Sequence, residues 1–160
     1  MVIKIFLSFM LLILAGCSST SLVSTQKNLP NSNDSIKVSL FELNNYTDTP
    51  QAGKRASSII KGILLTKGFK VSSHFDKQIS NLSDAQSIAE DDSANYFIVG
   101  GVSEWRYRTG IDGEPAVSMQ LSMYETNSSK LVWSATAADG FGNGSIGTTA
   151  QNLVEEMMDN

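Results

Sequence analysis

The side chains able to do chemistry are few and scattered along this sequence. His74 is the only histidine and Cys17 the only cysteine. Metal sites built from two histidines or paired thiolates are therefore excluded, as are disulfides. His74 stands in Ser72-Ser73-His74-Phe75 with no acid or base beside it, and reads as a surface histidine. Serine hydrolysis on an α/β-hydrolase pattern needs a G-x-S-x-G elbow, which the chain lacks. Glu90-Asp91-Asp92 suggests half a calcium site, but it has neither the spaced oxygens nor the turning glycine of a calcium loop. A solvated helix end is the simpler reading. Asp112-Gly113-Glu114, with Asp139, offers carboxylates near one set of hairpin ends. Paired carboxylates hydrolyse glycosides, yet nothing in the sequence supplies a groove or a raised pKa. Gly142 to Gly147 matches G-x-G-x-x-G, but only 13 residues follow it. Dinucleotide binding needs a further strand and an acidic residue about 20 positions on. These glycines, with Gly140, instead make a loop that carries Phe141. The expectation is a protein that is not an enzyme and needs no cofactor or metal.

Cys17 has a different chemistry. Met1 to Lys4 carry a positive charge, and Ile5 to Ile13 form an apolar stretch of nine residues that closes on Leu14-Ala15-Gly16-Cys17. A membrane-spanning helix needs about 20 apolar residues, so residues 1–16 read as a signal peptide. The segment resembles the lipobox of bacterial lipoproteins. That resemblance implies cleavage before Cys17 and acylation of its thiol and new amino group. Ser18, standing where aspartate would retain such a protein in the inner membrane, implies transfer to the outer membrane. More than one acyl chain is needed for stable anchoring.

The 144 residues after the signal peptide suffice for one domain with a core. Charge divides between their halves. Ser18 to Ser80 hold eight basic and four acidic residues, whereas Asn81 to Asn160 hold three basic and twelve acidic. This polarity points either to an electrostatic partner or to ordinary solvated charge. The acidic balance excludes nucleic acid, whose binding requires phosphate neutralisation.

Residues 17–35 are rich in Ser, Thr and Asn and read as a lipidated cysteine with a flexible linker. Its 18 residues from Ser18 reach roughly 60 Å at most. A single periplasmic domain then covers 36–160. Alternation predicts strands over Ile36–Leu43, Phe69–Ser72, Tyr96–Tyr107, Pro115–Glu125 and Leu131–Ala138. Helical spacing predicts helices over about Pro50–Lys67, Asp84–Asp91 and Ser145–Met158. Thr49 is the expected N-cap of the first, with Pro50 in its first turn and Gly68 ending it. Ser83-Asp84-Ala85-Gln86 looks like the capping box of the second. Lys54, Arg55 and Lys61 give the first helix a basic exterior. The order β-α-β-α-β-β-β-α argues for an α/β (α+β) class with a mixed sheet flanked by helices. Within Tyr96–Tyr107, Trp105 and Tyr107 share one strand face, and Arg106 and Arg108 the other. That pattern suits a subunit interface, or equally a core aromatic face with a solvated basic face.

One block is more specific than these fragments. Glu104-Trp105-Arg106-Tyr107-Arg108-Thr109-Gly110-Ile111-Asp112-Gly113-Glu114-Pro115-Ala116-Val117 is preceded by Thr47-Asp48-Thr49-Pro50-Gln51-Ala52-Gly53 and followed by Leu131-Val132-Trp133-Ser134-Ala135-Thr136. Together they resemble the PelC family, outer-membrane lipoproteins of Pel exopolysaccharide export. The resemblance implies a fold like the N-terminal domain of TolB. It also implies a dodecameric ring beneath the outer membrane, a PelB porin partner, and an acidic interior that guides a cationic polysaccharide outward in biofilm matrix secretion. Asp112 and Glu114 would be guiding acids, and Trp105, Arg106, Tyr107 and Arg108 interface residues. The same resemblance puts an aromatic of the glycine loop on the inner leaflet. Phe141 holds that place, where the family has tryptophan, and the loss of the indole N–H weakens the assignment. An ordinary core residue is the other reading of Phe141. The alternative function is a lipoprotein regulator or activator of a cell-wall synthase, for which the linker is short.

Overall fold

Alternation and helical periodicity resolve into seven strands and three helices, which a computed structural model describes over residues 22–26, 28–32, 35–77, 79–108, 113–140 and 144–159. In chain order these are β1 (Leu22–Gln26), β2 (Lys37–Phe41), β3 (Asn44–Asn45), α1 (Ala52–Thr66), β4 (Lys70–His74), α2 (Leu82–Asp91), β5 (Tyr96–Tyr107), β6 (Pro115–Glu125), β7 (Leu131–Asp139) and α3 (Ile146–Asp159). The mixed sheet has the order β1-β7-β6-β5-β2-β4, and β3 prolongs the line of β2 along β5. β4, β2 and β5 are parallel, as their helical crossovers require. β5, β6 and β7 form an antiparallel meander, and β1 adds to its edge, antiparallel to β7.

The expected order is present, with two additions. β3 is a two-residue extension. β1 corrects the flexible-linker reading of its segment, because Leu22–Gln26 pair with Ala138 to Ser134 of β7. Polar composition hid this strand. An edge position needs one partner only, and Val23 supplies apolar contact to the core beneath.

One face of the sheet carries α1 and α3 over the main core, which includes Leu40, Ile60, Leu64, Ile98, Met119, Trp133, Leu153 and Met157. Fully burying side chains of this size stabilises by roughly 1.5–3 kcal/mol each. The opposite face carries α2 over a smaller cluster of Phe41, Ala85, Ala89, Ala94 and Phe97. β5 serves both because its residues alternate, until a register shift between Val102 and Glu104 makes Ser103 an extra residue. Val102 and Trp105 thereby both point into the main core despite their odd spacing.

Helix ends follow the expected chemistry in one case and depart from it in two. Gly68 (φ 90°) ends α1, with Phe69 N donating to Leu64 O at 3.1 Å and Gly68 N to Leu65 O at 3.1 Å, the Schellman pattern. The N-cap of α1 is Gln51 in the left-handed region (φ 60°), without a side-chain cap. Thr49 is not the cap, because its hydroxyl is engaged with β5. The cap of α2 is Asn81, two residues before the expected Ser83, and its Oδ1 accepts from Asp84 N at 2.9 Å. Among the described residues no helix is long and apolar enough to cross a membrane.

Candidate functional site

Trp105, Arg106 and Tyr107 end β5, Arg108 follows directly, and the stretch forms a rim with the start of β6, the end of β7 and the N-terminus of α3. Trp105, opposite Val117, is only 3% exposed and belongs to the main core. Its main-chain oxygen accepts from Thr49 Oγ1 at 2.5 Å, which pins the β3–α1 turn to β5. That turn is itself bonded: Asn45 Oδ1 accepts from Thr47 N at 3.0 Å, and Asn45 Nδ2 donates to Thr49 O at 2.9 Å. Gly53 lets α1 approach the same place, because a Cβ there would stand 2.0 Å from Leu43 O. Two of the three sequence blocks of the resemblance, Thr47–Gly53 and Glu104–Val117, thus meet in one structural unit.

Arg106 points outward, 61% exposed, and its guanidinium pairs with Glu104 Oε1 at 2.8 Å. Tyr107 is half exposed, and its hydroxyl accepts from Ile146 N at 3.1 Å, satisfying an orphan donor of α3. Ser145 completes that helix start by accepting from Thr148 N at 3.2 Å. Arg108 N donates to Glu114 O at 2.7 Å where the β5–β6 hairpin closes. The Arg108 guanidinium lies over Gly140, where a Cβ would come within 2.4 Å of Nη2. Half-buried Glu114 and Asp139 complete the rim. Trp105 and Tyr107 therefore do share a face, with Trp105 inside and Tyr107 at its margin. Asp112, Phe141 and Cys17 lie outside the described residues.

A second cluster was not legible in the sequence. His74 Nε2 lies 2.8 Å from Asp92 Oδ2, and Ser39 Oγ donates to the same oxygen. His74 also stacks on Phe41 with ring centroids 5.1 Å apart, and its side chain is 17% exposed. This corrects the reading of a surface histidine without an acid, and of Asp92 as a merely solvated helix end. Burial pushes the Asp92 carboxyl up, but hydrogen bonds from Ser39 and His74, with the charges of His74 and Lys37, hold it below its ordinary value. The arrangement is not a nucleophile triad. Ser39 is fully buried and bonds to the acid rather than to the imidazole. It ties the C-terminal end of α2 to β2 and β4, helped by Lys37 Nζ donating to Asp92 O at 2.5 Å. No sequence signal announces it, because the partners are 18 and 53 residues apart. Among the described residues, no group of three or more His, Cys, Asp or Glu side chains is placed to hold a metal ion.

No protein-family model matches the chain, and no curated protein matches it. Solved structures do. The PelC dodecamer from Paraburkholderia phytofirmans superposes with a TM-score of 0.72 at 28% identity, covering 87% of this chain and 95% of that one. Lipoprotein GNA1162 from Neisseria meningitidis has a TM-score of 0.54 at 15% identity, covering 78% of this chain and 99% of that one. The C-terminal domain of LpoB from Salmonella enterica has a TM-score of 0.50 at 18% identity, covering 66% and 86%. The last two share the fold alone. The extent of the first match and its TM-score make this chain similar to PelC over most of its length.

Proposed function

We propose that this protein is a lipid-anchored, non-catalytic subunit of a ring that passes a cationic exopolysaccharide from the periplasm to an outer-membrane export porin. The observation that carries the ring is the placement of charge on the helical layer. α1 packs toward β4, at one edge of the sheet, and its charged residues Lys54, Arg55 and Lys61 are all basic. α3 packs over β7, β6 and β1, at the other edge, and its charged residues Glu155, Glu156 and Asp159 are all acidic. Lys67, the C-cap of α1, and Asp159 of α3 already form an ion pair within one subunit. Copies placed head to tail bring the acidic flank of one beside the basic flank of the next. Such heterologous contacts close into rings. The PelC relative is described as a dodecamer, and that number is the expectation here.

The rim supplies the remaining parts of the proposal. Arg106, Tyr107 and Arg108 border the neighbouring subunit at the mouth, and Trp105 acts through the strand it anchors. Glu114 and Asp112 contribute the acidic field that guides a cationic polymer, since repeated charges in a lined channel add. Cys17 holds the mouth at the outer membrane, and Phe141 is the second contact with its inner leaflet.

Light scattering during size-exclusion chromatography of the mature chain tests the assembly. A large closed oligomer is expected, Lys54→Glu should dissociate it, and Lys54→Glu with Glu155→Lys should restore it. A monomer at high concentration, both free and on lipid, defeats the ring. Export is tested separately: charge reversal at Asp112 and Glu114 should lower polymer secretion while folding is unchanged.

A further inference from the structure

The sheet ends in two strands of five residues each, β1 on one side and β4 on the other. Among the described elements β4 touches only β2 and α1, and β1 only β7 and α3, so nothing covers the outer edge of either. The free edge of β4 is fixed by its bonds to β2. Lys70 N donates to Ile36 O at 2.9 Å and Glu42 N donates to His74 O at 3.2 Å, so Lys70 and His74 turn their main-chain groups inward. Successive residues of a strand alternate. Val71 and Ser73 therefore point their N–H and C=O groups outward, where no strand meets them.

Natural sheets blunt such edges with prolines, bulges, charges or a covering element, because a free edge pairs with any strand that reaches it. β1 reads Leu22-Val23-Ser24-Thr25-Gln26, with neither charge nor proline, and it pairs with β7 in unbroken register. β4 also pairs in unbroken register. Its charges stand only at its ends, and His74 is held by Asp92 and Phe41.

Strand direction decides which edges fit. β4, β2, β5 and β7 run one way, and β6 and β1 the other. A second copy displaced sideways in the plane of the sheet thus sets its β1 antiparallel to β4. The same displacement brings its acidic α3 beside the basic α1, since both helices cover one face of the sheet, α3 over the β1 edge and α1 over the β4 edge. Main-chain polarity and side-chain charge select the same head-to-tail contact. Two like edges in an antiparallel ladder would instead set basic helix against basic helix, or acidic against acidic.

We propose that β1 of one copy adds to β4 of the next as an antiparallel strand, through the outward main-chain groups of Val71 and Ser73, so that the sheet continues from subunit to subunit. The proposal rests on the ring reading and names the contact that closes it.

Amide exchange on the full chain in detergent tests it. In the oligomer the amides of Val71 and Ser73 should exchange as slowly as those of Ser72 and His74, at least about a hundredfold below the open-chain rate. Ser73→Pro removes an outward N–H and no bond to β2, a placement that edge strands tolerate. It should yield folded monomers in which Val71 and the outer edge of β1 exchange freely. Ser73→Ala loses only the hydroxyl that accepts from Lys61 Nζ at 2.9 Å, and should keep the oligomer. Should Ser73→Pro fail to fold, exchange at Val71 and Ser73 in the unmodified protein decides alone. Open-chain exchange there in an intact oligomer overturns the strand pairing and leaves the ring standing. An unchanged oligomer with Ser73→Pro does the same. Ser73→Pro dimers with β1 still protected would mean that like edges pair, and would overturn the proposal. A monomeric unmodified chain overturns both readings.

Discussion

The hydroxyl of Thr49 donates to the main-chain oxygen of Trp105 at 2.5 Å, across 56 residues of chain. It joins the turn before α1 to the end of β5, two stretches that lie far apart in the sequence. The residue expected to cap a helix is used to fix one element against another.

Thr49→Val should therefore destabilise the protein by about 1 kcal/mol, the net worth of one such bond, while Thr49→Ser should retain most of it. Urea denaturation of the three proteins measures this. Equal midpoints for Thr49→Val and the unmodified chain would show that water replaces the hydroxyl without cost.

Two glycines of α1 should respond to alanine with opposite signs. Gly62 has nothing within 4 Å of an added Cβ, so Gly62→Ala should stabilise by about 0.5–1 kcal/mol through helix propensity. Gly53 faces Leu43 O, 2.0 Å from that Cβ. Gly53→Ala should cost about 2 kcal/mol or more, because the backbone must move. Thermal melts of both variants decide it, and a shared sign would contradict the close approach of α1 to Leu43.

The Asp92 cluster predicts a pH dependence. A carboxyl whose folded pKa is lowered adds stability above its unfolded value, near 3.9, and loses it as pH falls through the folded value. Asp92→Asn should thus be less stable than the unmodified chain at neutral pH, and the gap should narrow below about pH 4. Denaturant titrations across that range report the gap. A gap that widens on acidification would reverse the assignment.

Tyr107→Phe removes the acceptor for Ile146 N, an interaction at the surface. The cost in global stability should be no more than about 1 kcal/mol, since water takes over part of the role. Amide exchange at Ile146 should quicken, whereas exchange in the middle of α3, at Leu153 and Val154, should not. Uniform acceleration along the helix would show that Tyr107 supports α3 as a whole.

Much of the fold was legible because it rests on short-range patterns. The span of β5 and of β6, the apolar face of α1 and the glycine stop at Gly68 all follow from periodicity and backbone sterics. Helix starts were less legible. Several polar residues near α1 and α2 can cap, and tertiary partners decided which did: β5 took Thr49, and Asn81 reached Asp84 first. β1 was hidden because an edge strand of Ser and Thr looks like a linker until a partner strand is known. The rim was half legible. Alternation placed Trp105 and Tyr107 on one face, but it could not say that Trp105 is interior while Tyr107 reaches the start of α3.

By itself, then, the sequence determined the class of fold, the scarcity of catalytic groups and the separation of basic and acidic residues between its halves, because these depend on composition and local spacing. The tertiary structure alone decided that His74, Asp92 and Ser39 meet, and that the two charged helices take opposite edges of the sheet. Those are consequences of long-range packing, in which residues 18 to 56 positions apart come within a hydrogen bond of each other, and no local pattern encodes them.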